Sequence, residues 1–246
     1  MRNYDKIAFF YEYLMSHVNY SYWVSYIGKI LKYYNFSPDG LNVLECACGT
    51  SNFLELWKKK YKGDYIGIDL SYQMLQQGIK RCSSLVQADM KTLPFKAHFN
   101  LILSLFDSVN YLMTYEELLS FLNCTNSVLE KNGLLIFDVT TVYNSLTHFR
   151  QNCYFDHYGD TAFEHKVYFD SDNNIQCNDF KYVYKGKSVV EKHRQKVYEY
   201  DELIGLINQT DFRLLGAHKN FTLKDVDNNT ERIHFVLKKV NYANSK

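Results

Sequence analysis

The sequence predicts an α/β fold, with a mostly parallel sheet covered by helices and an antiparallel β addition inserted late in the chain. Three observations carry that prediction. Residues 41–69 read as strand, tight turn, helix, strand. Two further apolar runs, Phe99–Phe106 and Leu134–Val139, read as strands covered on both faces, with a helical stretch between them. From Asn152 to Tyr200, helical periodicity gives way to β-type alternation.

The first unit is the most informative. An apolar strand, Leu41–Glu45, feeds a turn of small residues, Cys46–Ser51. The turn opens an amphipathic helix, Asn52–Lys60, with Phe53, Leu54, Leu56 and Trp57 on one side. A second strand, Tyr65–Asp69, closes on an acid. In such βαβ units ligands bind beyond the carboxyl ends of the strands. A carboxylate at Asp69 can accept hydrogen bonds from both hydroxyls of a ribose, so the unit suggests an adenosine-type cofactor. A dinucleotide site wants G-x-G-x-x-G to let the backbone approach a pyrophosphate. Here Ala47, Gly49 and Ser51 fill the small positions, and only one is glycine. That argues against a nicotinamide-dependent reductase and for a less bulky anion, such as an amino-acid carboxylate.

Glu45-Cys46-Ala47-Cys48-Gly49-Thr50-Ser51 resembles motif I (E/D-x-G-x-G) of the class I S-adenosylmethionine-dependent methyltransferases. Ile68-Asp69-Leu70-Ser71-Tyr72-Gln73-Met74-Leu75 resembles their acidic-loop motif, D-x-S-x-x-M-L. The segment Tyr4–Met15 resembles the Y-D-x-x-A-x-x-Y-D-x-L-M opening of one bacterial small-molecule branch. The resemblance implies a Rossmann-like, seven-stranded, mostly parallel sheet with an antiparallel last strand. It implies S-adenosyl-L-methionine as cofactor and S-adenosyl-L-homocysteine as product. Cofactor contacts are then expected at Glu45, Cys46, Ala47, Gly49, Asp69, Leu70, Met74, Asp89, Met90, Leu105 and Phe106. Ala47 and Ser51 depart from the family's glycines, at positions where a left-handed backbone favours glycine.

Taken in order, residues 4–35 read as one or two aromatic-rich helices that cap the sheet. Tyr4, Tyr11 and Trp23 are the candidates to cover a sulfonium, since an aromatic face attracts a cation by roughly 0.5–2 kcal/mol. Ser37–Gly40 is a turn. Ser71–Arg81 reads as a helix with Ser71 as N-cap. Ser84–Met90 is the third strand and its loop, where Asp89 can accept from an adenine amino group and the Met90 N–H can donate to the ring. Beyond the fourth strand, Asp107, Asn110 and Tyr111 are acceptor-side candidates. Tyr115–Glu130 reads as a helix stopped by Lys131-Asn132-Gly133. After the fifth strand come three strands near Ala162–Phe169, Ile175–Tyr184 and Ser188–Val197, joined by Asp170–Asn174 and Lys185-Gly186-Lys187. A helix at Asp201–Gln209 and strands at Phe212–His218 and Glu231–Lys238 complete the sheet. Residues 1–150 and 201–246 are thus expected to form the cofactor-binding core, with a helical cap over about 1–36. Residues 151–200 form an antiparallel insertion serving as lid, acceptor surface or dimer surface.

Composition narrows the function further. The 246 residues are 46% hydrophobic, enough for a sizeable core, and the net charge of +1 leaves no electrostatic footprint for nucleic acid or a membrane surface. The Asn/Asp-Pro-Pro-Tyr type of signature seen in methyltransferases of base or glutamine nitrogens is absent. The six cysteines lack zinc spacing, no metal is expected, and free thiols in a cytoplasmic protein is the expected state. His157, His165, His193 and Arg232 are the remaining acceptor-side candidates. In-line methyl transfer requires alignment and exclusion of water, and a general base only where the acceptor is protonated, so a catalytic triad is not demanded. The expectation is a methyltransferase acting at N or O of a small molecule, as monomer or homodimer. The alternative is a cofactor-binding sensor or docking module without turnover.

Overall fold

The computed structural model describes residues 4–96, 99–184 and 186–240. A 3₁₀ turn (Ala8–Phe10) and helices α1 (Tyr11–Leu14) and α2 (Tyr20–Tyr33) come first. Then follow β1 (Leu41–Cys46), α3 (Asn52–Lys60), β2 (Gly63–Asp69), α4 (Tyr72–Gly78), β3 (Leu85–Gln87) and β4 (Phe99–Ser104). A second 3₁₀ turn (Ser108–Tyr111) leads to α5 (Tyr115–Val128), β5 (Leu129–Thr140) and α6 (Val142–His148). Four consecutive strands, β6 (Asn152–Tyr158), β7 (Thr161–Asp170), β8 (Ile175–Tyr184) and β9 (Lys187–Lys196), precede α7 (Tyr200–Ile207), β10 (Phe212–Lys219) and β11 (Arg232–Lys239).

Among the described residues, seven strands form one sheet in the order β10-β11-β5-β4-β1-β2-β3. All pairs are parallel except those of β11, which runs antiparallel to both β5 and β10. The expected α/β class with an antiparallel last strand is therefore the observed one. Strand alternation sorts the core into two layers. Leu44, Ile102, Leu135, Phe137 and Phe235 face α5 and α7, while Val43, Leu101, Leu103, Ile136 and Val236 face α2 and α3. The strand order reverses between β1 and β4, so the crevice opens beyond the carboxyl ends of these two strands.

Three local readings need correction. The insertion has four strands, not three, in the order β6-β7-β8-β9. Every residue of β6 is exposed, so its sequence carries no burial alternation. Second, α5 ends at Val128 and β5 begins at Leu129, and the left-handed residue of the bend is Asn132, with φ +65°, and not Gly133. Third, α6 lay outside the sequence reading. Its start is fixed by Thr141, whose Oγ1 accepts from the Asn144 N–H at 3.1 Å. Lys185, in the expected turn between β8 and β9, lies outside the described residues.

The N-terminal segment joins the two sheets. Ile7 and Phe10 pack with Phe163, Phe180 and Tyr182 of the insertion in a separate apolar cluster. The Tyr182 hydroxyl donates to Lys6 O at 2.5 Å, and the Lys6 N–H donates to Glu191 Oε2 at 2.8 Å. On the other side, Ser71 Oγ donates to Asp5 Oδ1 at 2.8 Å and Asn52 holds the Glu12 carboxylate. Residues 4–14 thus form a strap across the mouth of the crevice. No helix among the described residues is long and apolar enough to cross a membrane.

Candidate active site

The turn after β1 is built on left-handed backbone. Ala47, Gly49 and Ser51 have φ of +56°, +54° and +63°. Each non-glycine residue in this region costs on the order of 1–2 kcal/mol, so Ala47 and Ser51 hold strain where glycine would not. Tight packing keeps the turn in place. The Cys48 sulfur would lie 2.8 Å from a Cβ at Gly67, so a side chain on that residue of β2 would push the turn out. The turn is also tied to the acid of β2: the Gly49 N–H donates to Asp69 Oδ2 at 2.8 Å, and the Ser71 N–H donates to Asp69 Oδ1 at 2.8 Å. Ser71 Oγ accepts from the Met74 N–H at 3.3 Å and caps α4. Burial raises the Asp69 carboxyl above its ordinary value, and these backbone N–H groups oppose the rise.

Around this frame lies a cavity of about 190 Å³. Of the expected cofactor contacts, Glu45, Ala47, Gly49, Asp69, Leu70, Met74, Asp89, Met90, Phe106, Tyr4 and Tyr11 line it. Three do not. Cys46 is fully buried and points with Leu44 into the layer under α5. Leu105 is buried in the layer under α2 and α3. Trp23 packs on Phe106 with ring centroids 4.3 Å apart and borders a different pocket. Strand alternation accounts for Cys46, since neighbouring residues of β1 face opposite layers. The cavity adds Tyr20, Asn52, Lys91 and Ser108, which sequence reasoning missed because nothing in their local pattern distinguishes them from ordinary surface residues.

Two further carboxylates join Asp69 in the cavity, Glu45 and Asp89. Glu45 is 2% exposed, and its Oε2 has no hydrogen-bond partner among the described residues. Burial and the Asp69 charge push its carboxyl well above the ordinary range. A buried acceptor left open in this way fits a ligand ammonium group, because an unsatisfied buried polar atom costs about 1–3 kcal/mol. At the other end the Lys91 N–H donates to Asp89 Oδ1 at 2.9 Å, fixing that carboxylate at the rim. An acid in the depth, an acid at a strand end, an acid at the rim and tyrosine rings alongside fit a cationic amino-acid nucleoside such as S-adenosylmethionine.

A second pocket of about 690 Å³ adjoins the first and shares Tyr4, Tyr11, Phe106 and Tyr111 with it. Its floor is a charged network at the end of β4. Phe106 and Asp107 are both left-handed, with φ of +61° and +51°. This conformation turns the Asp107 N–H to Asp138 Oδ2, at 2.9 Å. Arg232 bridges Asp107 Oδ1, at 2.9 Å, and Asp138 Oδ2. Its guanidinium also lies 5.4 Å from the Trp23 ring centroid. Burial raises the Asp138 carboxyl to about 6, with Arg232 pulling the other way. Gln195 Nε2 donates to Asp107 Oδ2 at 2.6 Å, which links the floor to β9.

The opposite wall is the inner face of the insertion, where Gln176, Asn178, Phe180, His165, His193 and Gln195 alternate inward. The acceptor-side candidates separate accordingly. Asp107, Tyr111, His165, His193 and Arg232 line this pocket. His165 stacks on Phe180 at 4.1 Å and shares a 3.0 Å hydrogen bond with Asn178, and burial lowers its imidazole. Asn110 is a brace instead: fully buried, its Nδ2 donates to Lys196 O at 2.7 Å and its Oδ1 accepts from the Thr140 N–H at 3.1 Å. His157 lies on the exposed strand β6 and lines neither pocket, with its Nδ1 3.8 Å from Asp156 Oδ1. Among the described residues no cluster of His, Cys, Asp and Glu could hold a metal, and all six cysteines are free.

This fold and cavity define an α/β enzyme that binds a nucleoside-type cofactor at its strand ends. Residues 43–133 match the family model described as "Methyltransferase domain". YqeM of Bacillus subtilis (strain 168), a methyltransferase by name, is 27% identical over 247 residues, covering 96% of this chain and 97% of that protein. The dTDP-3-amino-3,4,6-trideoxy-alpha-D-glucopyranose N,N-dimethyltransferase of Streptomyces venezuelae is 35% identical over 104 residues, covering 42% of this chain and 44% of that one. A crystal structure of an S-adenosylmethionine-dependent methyltransferase from Clostridium acetobutylicum ATCC 824 has the same fold, with a TM-score of 0.79 and 24% identity over 96% of this chain and 98% of that one. These findings support a methyltransferase of the class I S-adenosylmethionine-dependent type, with S-adenosylmethionine as its cofactor.

Proposed function

We propose that the protein methylates a nitrogen or oxygen atom of a polar small molecule held in the second pocket, and that the insertion is the acceptor-binding wall. The carrying observation is the shared boundary: the two pockets meet at Tyr4, Tyr11, Phe106 and Tyr111. A methyl group presented there would face an acceptor from the other side, as in-line displacement requires. The cofactor supplies an electrophilic methyl on a sulfonium. Asp69 would accept from the ribose hydroxyls, Glu45 from the ammonium group, and Asp89 with the Met90 N–H would read the adenine. Tyr4 and Tyr11, with rings 5.4 Å apart and nearly perpendicular, would face the sulfonium and exclude water.

The amide-rich wall and neutralised floor suit a polyhydroxylated, uncharged or weakly basic acceptor better than an anion. The partial likeness to a sugar N,N-dimethyltransferase supports an amine-bearing acceptor. A cytoplasmic location belongs to the same reading. The test is transfer of label from methyl-labelled S-adenosylmethionine to a panel of amino sugars, sugar nucleotides and phenols. The expected result is methylation of at least one amine or hydroxyl of the panel. Transfer only to protein or nucleic acid would contradict the proposed acceptor class.

A further inference from the structure

The two pockets are joined by a chain of polar groups. The Tyr4 hydroxyl lies 2.6 Å from the Tyr111 hydroxyl, in the wall both pockets share. The Tyr111 hydroxyl lies 3.2 Å from His193 Nδ1. His193 is 1% exposed, and its Nε2 lies 3.0 Å from Glu191 Oε1, within ion-pair reach but off the line of a good hydrogen bond. Glu191 is itself buried and is held by the Tyr4 and Lys6 backbone N–H groups. Four side chains from the strap, the end of β4 and β9 thus run from the methyl-transfer wall to a buried histidine–glutamate pair.

We propose that Tyr4, Tyr111, His193 and Glu191 are a proton relay that discharges the acceptor. This rests on the methyltransferase reading above with a protonated acceptor atom. When the acceptor atom bonds to the methyl carbon, the carbon–sulfur bond breaks with its electron pair on sulfur. The acceptor is left with one proton too many. That proton passes to the Tyr111 oxygen, directly or through the Tyr4 hydroxyl, as the Tyr111 hydroxyl proton moves to His193 Nδ1. The product state is a neutral acceptor, two intact phenols and an imidazolium beside the Glu191 carboxylate. Charge is conserved at each transfer, and no further reactant is needed.

Two physical arguments select a relay over a bracing role. Burial and nearby carboxylates raise both phenols well above their ordinary value, so neither tyrosine can end the reaction as a phenolate. They can receive a proton only by passing one on, and His193 is the basic nitrogen in contact. Moreover, the two Glu191 oxygens already accept the backbone N–H groups of Tyr4 and Lys6, so the carboxylate is held in place where an imidazolium would form. His193 and Glu191 act through Tyr111 and are positioning and relay groups, while Tyr4 and Tyr111 both stand at the shared wall.

The test is the tautomer of His193, read from imidazole ¹⁵N resonances of the full chain, free and with S-adenosylhomocysteine bound. The relay requires a neutral ring with the proton on Nε2 and Nδ1 accepting from Tyr111. Tyr111→Phe should then move the Nδ1 resonance toward that of an unbonded imidazole nitrogen and leave the Nε2–H in place. A proton on Nδ1, donated to the Tyr111 oxygen, would overturn the proposal, because that nitrogen could not take another. A ring already doubly protonated at neutral pH would overturn it equally. Both readings are available in the wild-type protein, so an unstable variant does not obscure them. Binding of S-adenosylhomocysteine with the wrong tautomer would strike the relay alone. Failure of the wild-type protein to bind it would strike the methyltransferase reading.

Discussion

The two pockets are built by different means. The cofactor cavity is framed by one contiguous stretch, residues 41–75, in which backbone groups set the shape and a single carboxylate, Asp69, clamps the turn to the next strand, while Tyr4, Tyr11, Asp89, Met90 and Phe106 close it from other segments. The second pocket, proposed for the acceptor, draws on segments scattered from Tyr4 to Arg232, and its shape is set by side-chain charges: Asp107, Asp138 and Arg232 on the floor, Gln195 and His193 on the wall. A site made of local backbone tolerates side-chain change except at a few clamps. A site made of buried charges is stable only while the charges balance.

The sharpest way to break that contrast is to unbalance the floor. Arg232→Met leaves the Asp107 and Asp138 carboxylates facing each other, and stability should fall by about 3–5 kcal/mol, as measured by chemical denaturation. The loss should depend on pH in a defined direction. Asp138 has a folded-state value of about 6, above its unfolded value of 3.8, so the native state holds the proton more tightly and stability declines as pH rises through that window. Without Arg232 the carboxyl rises further, so the decline should extend to higher pH, and wild type and variant should converge in acid. Cofactor affinity of whatever variant remains folded should change little.

The matching experiment on the other pocket is Asp69→Ala. The clamp on Gly49 is lost together with the two hydrogen bonds proposed to a ribose, so affinity for S-adenosylmethionine should fall by about two to three orders of magnitude, read by calorimetry. Stability should fall much less than in Arg232→Met. A smaller effect is expected at Glu45→Gln. Its carboxyl is raised by burial, so wild-type affinity for the ammonium-bearing cofactor should increase with pH as Glu45 ionises, and the variant should bind roughly tenfold more weakly than the ionised wild type with that slope removed. Smallest is Ala47→Gly. It relieves a left-handed alanine at the cost of a more flexible unfolded chain, and should raise Tm by about 1–3 °C in a thermal scan.

The same contrast explains what could be read in advance. The cofactor side was legible because its chemistry lies within one βαβ unit, where strand ends, small residues and an acid fall at fixed spacing. The acceptor side was legible only as a set of polar residues. His157 and His193 have equal claims in the sequence, and only the pairing register of the second sheet turns His193 inward with Asn178 and leaves His157 on an exposed edge strand. Asn110 follows Asp107 by three residues, yet the turn after β4 points it into the protein as a brace. Trp23 was an aromatic expected over the cofactor, and helix packing sets it on Phe106 and beside Arg232 instead. β6 escaped notice because an exposed strand has no buried face to impose a period of two.

The most direct measurement is parallel calorimetric titration of the protein with S-adenosylmethionine, S-adenosylhomocysteine and NAD. The two sulfur compounds should bind in roughly the micromolar range and NAD should not bind. Binding of NAD, or of none of the three, would contradict the assignment of the cavity around Glu45 and Asp69.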